Sequence, residues 1–278
     1  MPERDSVASL VPSCPVRILV LAHGFSWIDG SQSDAFLAEY ARAAVERWTA
    51  FAEVHHAIIV APAFGGSEFG GYRSLSGRRI DADQFVNALV DQVAREHIPS
   101  FNKRFTLHGH SAGAQFAARY LVTHPDRLEE VILSAPGAYP FPDPAQPWPD
   151  GMAPIVRDHL SGSPATGKAP DQAAGAVFRP RPAGWLQASS EVRVSVLVGS
   201  RDTDPQPPEP GQQGSTRFER ATAWVTSMRR HAKANDRTPT IRLLQAEGLD
   251  HDEAAMAVPA QEILAREWSA DPRVLFDV

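Results

Sequence analysis

A serine becomes a useful nucleophile when a histidine takes its proton and a carboxylate holds that histidine. Gly109-His110-Ser111-Ala112-Gly113 reads G-x-S-x-G. It lies between a strand-like run (104–108) and a stretch of helical spacing (111–123), where this motif lifts a serine onto a sharp strand-to-helix turn. A serine hydroxyl reacts poorly unless it is presented to a base and to donors for the developing oxyanion. The turn presents it, and side chains two residues to either side would collide, so glycine suits 109 and 113. The helix that follows aims its first N–H groups and positive dipole end at developing negative charge. Ser111 is the candidate nucleophile; the competing reading is a chance five-residue match in a Gly- and Ser-rich loop.

The partners of such a serine follow it in the chain, carboxylate first and histidine second. Gly199-Ser200-Arg201-Asp202 follows one strand-like run, and Gly248-Leu249-Asp250-His251 follows the next. His251 is the candidate base, chosen by position from among ten histidines. Asp202 fits a Gly-x-x-Asp turn at a strand end, and Asp204, two residues on, remains the alternative acid. Asp250 and Asp252 flank the histidine too closely in sequence to face it. The first strand-like run ends in His23-Gly24-Phe25, so the N–H of Phe25 and that of Ala112 are the candidate oxyanion donors. His23 and His108 read as structural, His110 as packing beside the elbow, and His55-His56 as surface residues. No spacing of histidines and carboxylates suggests a metal site, and no cofactor is expected.

These residues need a scaffold that brings several strand ends together. Continuous apolar runs at 16–23, 57–61, 104–108, 130–134, 192–198 and 240–245 suit strands buried on both faces. Helical spacing over 34–49, 82–97, 111–123, 218–233 and 253–268 alternates with them. That alternation predicts an α/β fold, a mostly parallel sheet of about six strands with helices on both faces. Open parallel sheets gather their sites at the carboxyl ends of the strands, where all the candidates fall. The stretch 137–190 breaks the rhythm, being dense in Pro, Gly, Ala and Asp. It is too long for a plain connection, and its aromatic residues favour folding over disorder. It is expected to be a cap over the site within a single domain spanning 1–278.

Composition narrows the partners. The chain carries a formal charge of -6 with no basic cluster, which gives a nucleic acid nothing to hold. One cysteine, Cys14, excludes an internal disulfide and suits a reducing compartment. The opening MPERDSVASLVPSCP lacks the pattern of a secretory leader, and no run is long and apolar enough to span a membrane. A cytoplasmic protein with a small-molecule substrate is expected, and a homo-oligomer is compatible with the composition.

The elbow GHSAG, the HGF turn, the GSRD acid turn and the GLDH histidine turn together resemble the α/β-hydrolase superfamily, over roughly residues 15–270. Within it, Phe69-Gly-Gly-Tyr72-Arg-Ser-Leu75, Ala82-Asp83 and SAPGAYPFPD are similar to esterases of the polyhydroxybutyrate-depolymerase-like and feruloyl-esterase-like branch. The superfamily's usual first two strands are absent. The resemblance implies hydrolysis of a carboxylic ester or lactone through an acyl-serine. The same triad would serve a thioesterase, an amide or peptide hydrolase, or a C–C bond hydrolase, and a non-catalytic binding protein is the contrasting class. Phe64, Tyr139, Trp148 and Trp185 are candidate walls for the substrate, each weighed against an ordinary place in the core. Arg73 is a candidate partner for a substrate carboxylate, weighed against a solvated surface arginine.

Overall fold

The computed structural model describes residues 16–24, 33–98, 100–156, 177–178 and 181–269. Six strands form the main sheet: β1 (Arg17–Ala22), β2 (Ala57–Val60), β3 (Phe105–His110), β4 (Leu128–Ser134), β7 (Arg193–Gly199) and β8 (Ile241–Ala246), in the order β2-β1-β3-β4-β7-β8. Every neighbouring pair is parallel. Parallel neighbours need crossovers, and helices supply them: α1 (Asp34–Val54), α2 (Gly66–Phe69), α3 (Ala82–His97), α4 (Ala112–Thr123), α5 (Pro182–Ser190) and α6 (Arg217–Ala234), with α7 (Glu253–Ser269) closing the chain's described part.

The strands carry apolar residues at successive positions because both faces are covered. Along β1, Leu19 and Leu21 face one layer, where Trp48 of α1 and Met256, Leu264 and Trp268 of α7 pack. Ile18, Val20 and Ala22 face the other, with Val86 and Val90 of α3, Phe116 and Leu121 of α4, Trp185 of α5 and Trp224 of α6. The period of two along the strand thus sorts one run between two cores. The chain moves from β1 outward to β2, then back to the other side of β1 for β3. In open parallel sheets such a reversal of winding marks the usual place for a ligand, here the carboxyl ends of β1 and β3.

The structure adds elements that periodicity did not reveal. The Gly-rich stretch after β2 contains α2 and a single 3-10 turn, Tyr72–Ser74. The end of the Pro-rich stretch is α5, which packs on α4 and α6 as part of the helical layer. Pro182 starts it, a position where the missing N–H costs nothing. Earlier in that stretch, β5 (Ile155–Val156) and β6 (Val177–Phe178) form a small antiparallel pair. The beginning of the stretch is bound to the body. Trp224 Nε1 donates to the Pro140 carbonyl at 2.6 Å. Arg220 donates to the Gly137 carbonyl at 2.6 Å. Arg119, buried on α4, donates to the Pro149 carbonyl at 3.0 Å and pairs with Asp150 at 3.1 Å. Among the described residues, no helix is long and apolar enough to cross a membrane.

Candidate active site

Ser111 sits between β3 and α4 with φ 51° and ψ −112°. A non-glycine residue at positive φ costs of order 1–3 kcal/mol and persists only where its surroundings impose it. Here they do. The Ser111 N–H donates to the Ser134 carbonyl at 2.8 Å, and the Ser111 carbonyl accepts from Gln115 N–H at 3.1 Å. A Cβ on Gly109 would lie 2.3 Å from the Gly113 carbonyl oxygen, and one on Gly113 would lie 2.0 Å from that of Ala22. Both glycines are therefore needed for β3, α4 and the end of β1 to close on one another. Ala112 opens α4, where first-turn N–H groups have no partner within the helix.

His251 stands over the serine. Its Nε2 lies 3.0 Å from Ser111 Oγ, and its Nδ1 lies 2.9 Å from Asp202 Oδ2. With Nδ1–H donating to the carboxylate, Nε2 is free to accept the serine proton. The two loops carrying these side chains are laced together: Arg201 N–H donates to the Leu249 carbonyl at 2.8 Å, and Gly248 N–H to Ser200 Oγ at 2.8 Å. A Cβ on Gly199 would come within 2.4 Å of the Leu249 carbonyl oxygen, so glycine permits this approach. Asp202 is buried, and its second oxygen accepts from the Arg217 guanidinium at the start of α6. Burial pushes its carboxyl up, but the hydrogen bond from His251 and the charge of Arg217 hold it below the ordinary carboxylate range. Asp204, the alternative acid, is exposed, as are Asp250 and Asp252.

The neighbouring histidines are neutral packing groups. The His110 ring lies 4.9 Å from that of His251, and its Nε2 lies 3.2 Å from the His251 carbonyl oxygen. Burial, then the adjacent His251, pushes it well below the usual histidine range. His108 is buried beside Trp48, bonds Ser134 Oγ at 3.0 Å, and is lowered by burial to about 3.

On the other side of the elbow, the strand-end turn His23-Gly24 is held from several directions. His23 Nδ1 donates to the Gly24 carbonyl at 2.7 Å, and its Nε2 accepts Phe64 N–H at 3.0 Å. Tyr72 Oη donates to the His23 carbonyl at 3.1 Å. Glu253, in the first turn of α7, accepts from Gly24 N–H at 3.4 Å and from Tyr40 Oη at 2.5 Å. Arg47 approaches its other oxygen at 3.6 Å. Phe25, the expected second oxyanion donor, lies outside the described residues.

The structure brings Ser111, His251 and Asp202 into one hydrogen-bonded chain with Ala112 beside it. The other expected residues are placed differently. Phe64, Tyr139, Trp148 and Trp185 are each exposed by 1% or less, as core residues are. Phe64 stacks on Tyr72 beneath His23, and Tyr139 stacks on Trp224. Arg73 is half-buried, and its carbonyl accepts from Arg119 at 3.1 Å. Sequence reasoning did not find Arg217, Glu253 or Tyr40. The one signal for Glu253 was its place two residues beyond His251. Among the described residues, no group of three or more His, Cys, Asp or Glu is arranged to hold a metal ion.

A sequence search of curated proteins found no match. Among solved structures, the chain resembles poly(aspartic acid) hydrolase-1 from Sphingomonas sp. KT-1 (TM-score 0.67, 21% identity, covering 91% of this chain and 89% of that one). It also resembles LpqC, a poly(3-hydroxybutyrate) depolymerase from Bordetella parapertussis (TM-score 0.65, 20% identity, 94% and 86% covered). A third is FphF, a fluorophosphonate-binding serine hydrolase from Staphylococcus aureus (TM-score 0.55, 13% identity, 96% and 89% covered). At these identities the likeness is one of fold. The model of the alpha/beta hydrolase family matches residues 19–278, and by that match the chain belongs to this family of hydrolases.

Proposed function

We propose that the protein is a serine hydrolase that cleaves a carboxylic ester or lactone of a small molecule through an acyl-serine. The observation that carries this reading is the continuous chain Ser111 Oγ–His251 Nε2 (3.0 Å) and His251 Nδ1–Asp202 Oδ2 (2.9 Å), with the serine at a strained elbow. Ser111 Oγ attacks the carbonyl carbon while His251 Nε2 takes its proton. Asp202 keeps the imidazole in the required tautomer and stabilises the imidazolium. The N–H of Ala112, joined by that of Phe25, receives the oxyanion. His251 returns the proton to the departing alkoxide, and the acyl-serine remains. Water, deprotonated by the same histidine, then releases the acid.

In this reading Phe64, Tyr139, Trp148 and Trp185 act by shaping the wall behind the site, and Arg73 is the side chain that reaches a substrate carboxylate. Of the stretch 137–190, the described part at 137–156 acts as the cap, while α5 belongs to the helical layer. With a single cysteine, the chain suits the reducing cytoplasm. Support from fold relatives comes from LpqC, a depolymerase of poly(3-hydroxybutyrate), and FphF, a fluorophosphonate-binding serine hydrolase.

The test is labelling of the folded protein with a fluorophosphonate, beside Ser111→Ala. Wild type should label and the variant should not. A folded wild type that stays unlabelled overturns the reading. Turnover of p-nitrophenyl acyl esters should exceed that of matched thioesters and anilides; the reverse ranking would assign the same triad to thioester or amide cleavage.

A further inference from the structure

The Asp202 carboxylate is fully buried, yet the histidine it touches must be neutral to act as a base. A resting Asp–His pair of this kind leaves one negative charge in the interior, which is costly unless something compensates it. Arg217 supplies the compensation. Its Nη1 donates to Asp202 Oδ1, opposite the oxygen that accepts from His251, and its side chain is 15% exposed. The arginine is delivered by the first turn of α6, whose start is fixed by a capping box between Thr216 and Glu219. A guanidinium stays charged throughout the working pH range.

We infer that Arg217 is a positioning residue of the catalytic chain, serving as the counter-charge of Asp202 and so setting how tightly the Asp202–His251 pair holds a proton. This rests on the proposed roles of Asp202 and His251. With Arg217 present, the resting trio carries no net charge, and an added proton makes it positive. Without Arg217, the resting pair is negative and takes up a proton at higher pH. The arginine therefore extends the pH range over which the base is free towards acid.

Other charges around the pair are accounted for. His110 stacks on His251 from the end of β3 and is held neutral by burial. Tyr139 is a buried phenol that feels both Arg217 and Asp202, and burial keeps it un-ionised. Asp250 and Asp252 are exposed beside His251. The Glu253 carboxylate is engaged with Tyr40, Gly24 and Arg47. Arg217 is the group placed directly on the carboxylate.

The experiment compares wild type with Arg217→Gln, which retains a donor without the charge, and Arg217→Lys, which retains the charge. Two quantities are followed against pH: the rate of fluorophosphonate labelling, and the downfield N–H proton resonance of the His251–Asp202 bridge. In Arg217→Gln, the acid limb of labelling and the transition of that resonance should both move up by about one pH unit. Labelling below the limb should be about tenfold slower, and Arg217→Lys should reverse most of the shift. A profile unmoved in Arg217→Gln, with only the rate or the melting temperature lowered, overturns the inference and leaves Arg217 a packing residue. If wild type does not label, the hydrolase reading fails, while the resonance still decides the role of Arg217.

Discussion

Single residues make the sharpest distinctions. Ser111→Ala removes a hydroxyl but leaves the backbone bonds that impose the turn, so turnover should vanish while urea unfolding shows a change within about 1 kcal/mol. Asp202→Asn keeps the volume and the hydrogen bond to Nδ1 but favours the wrong tautomer. It should cut kcat by about three to four orders of magnitude. Asp204→Asn, at an exposed position, should leave kcat within about twofold; the opposite outcome in steady-state assays would exchange the two aspartates. Ser111, His251 and Asp202 were legible because each lies in a short turn whose residue spacing is itself the signal. Arg217 was not. It is one of several arginines in a helix rich in them, and only the folding back of α6 onto the loop after β7 sets it on Asp202. Tyr40 and Glu253 meet across 213 positions, which no local pattern encodes.

Elements were legible where burial imposes a period. The six strands of the sheet and helices α1, α3, α4, α6 and α7 follow from apolar runs and helical stripes. Short elements escaped because one or two turns cannot display a period: α2, the turn at Tyr72–Ser74, and α5. The two-residue strands β5 and β6 are shorter than any alternation. The closeness of β1, β3 and α4 also yields a prediction. A methyl group at 113 meets the Ala22 carbonyl oxygen at 2.0 Å, and that oxygen is backbone and cannot turn away. Gly113→Ala should destabilise the fold by about 2–3 kcal/mol in urea unfolding. Labelling at Ser111 should fall with it, because the elbow must open to admit the methyl group.

Across the whole molecule, two buried titratable groups tie stability to pH from opposite sides. Glu130 of β4 is buried, with neither oxygen hydrogen-bonded to another described residue and Arg193 3.8 Å away. Burial pushes its carboxyl up from 4.5 to about 7. Its protonated form is the one that suits the fold, so stability is lost as pH rises from 4.5 through 7. His108, lowered from 6.5 to about 3, must fold neutral, so stability is lost as pH falls below 6.5. Replacing Glu130 with glutamine should therefore raise stability at pH 8 by up to about 3 kcal/mol and change little at pH 4, as thermal unfolding at the two pH values would show.

The Pro-rich stretch that begins at 137 and a second one in the loop after β7, 204–214 with Pro205, Pro207, Pro208 and Pro210, also behave as one object at this scale. Gln212 accepts from Tyr139 N–H at 2.9 Å and donates to the Tyr139 carbonyl at 2.8 Å. Arg220 reaches Gly137 in one segment and Pro207 and Gly214 in the other. A graft that transplants one segment from a relative would strand the clasp on the other. Exchanging either segment is therefore a two-segment change, in which residues near 139 and 212 travel as a matched set and Arg220 stays behind as the common socket.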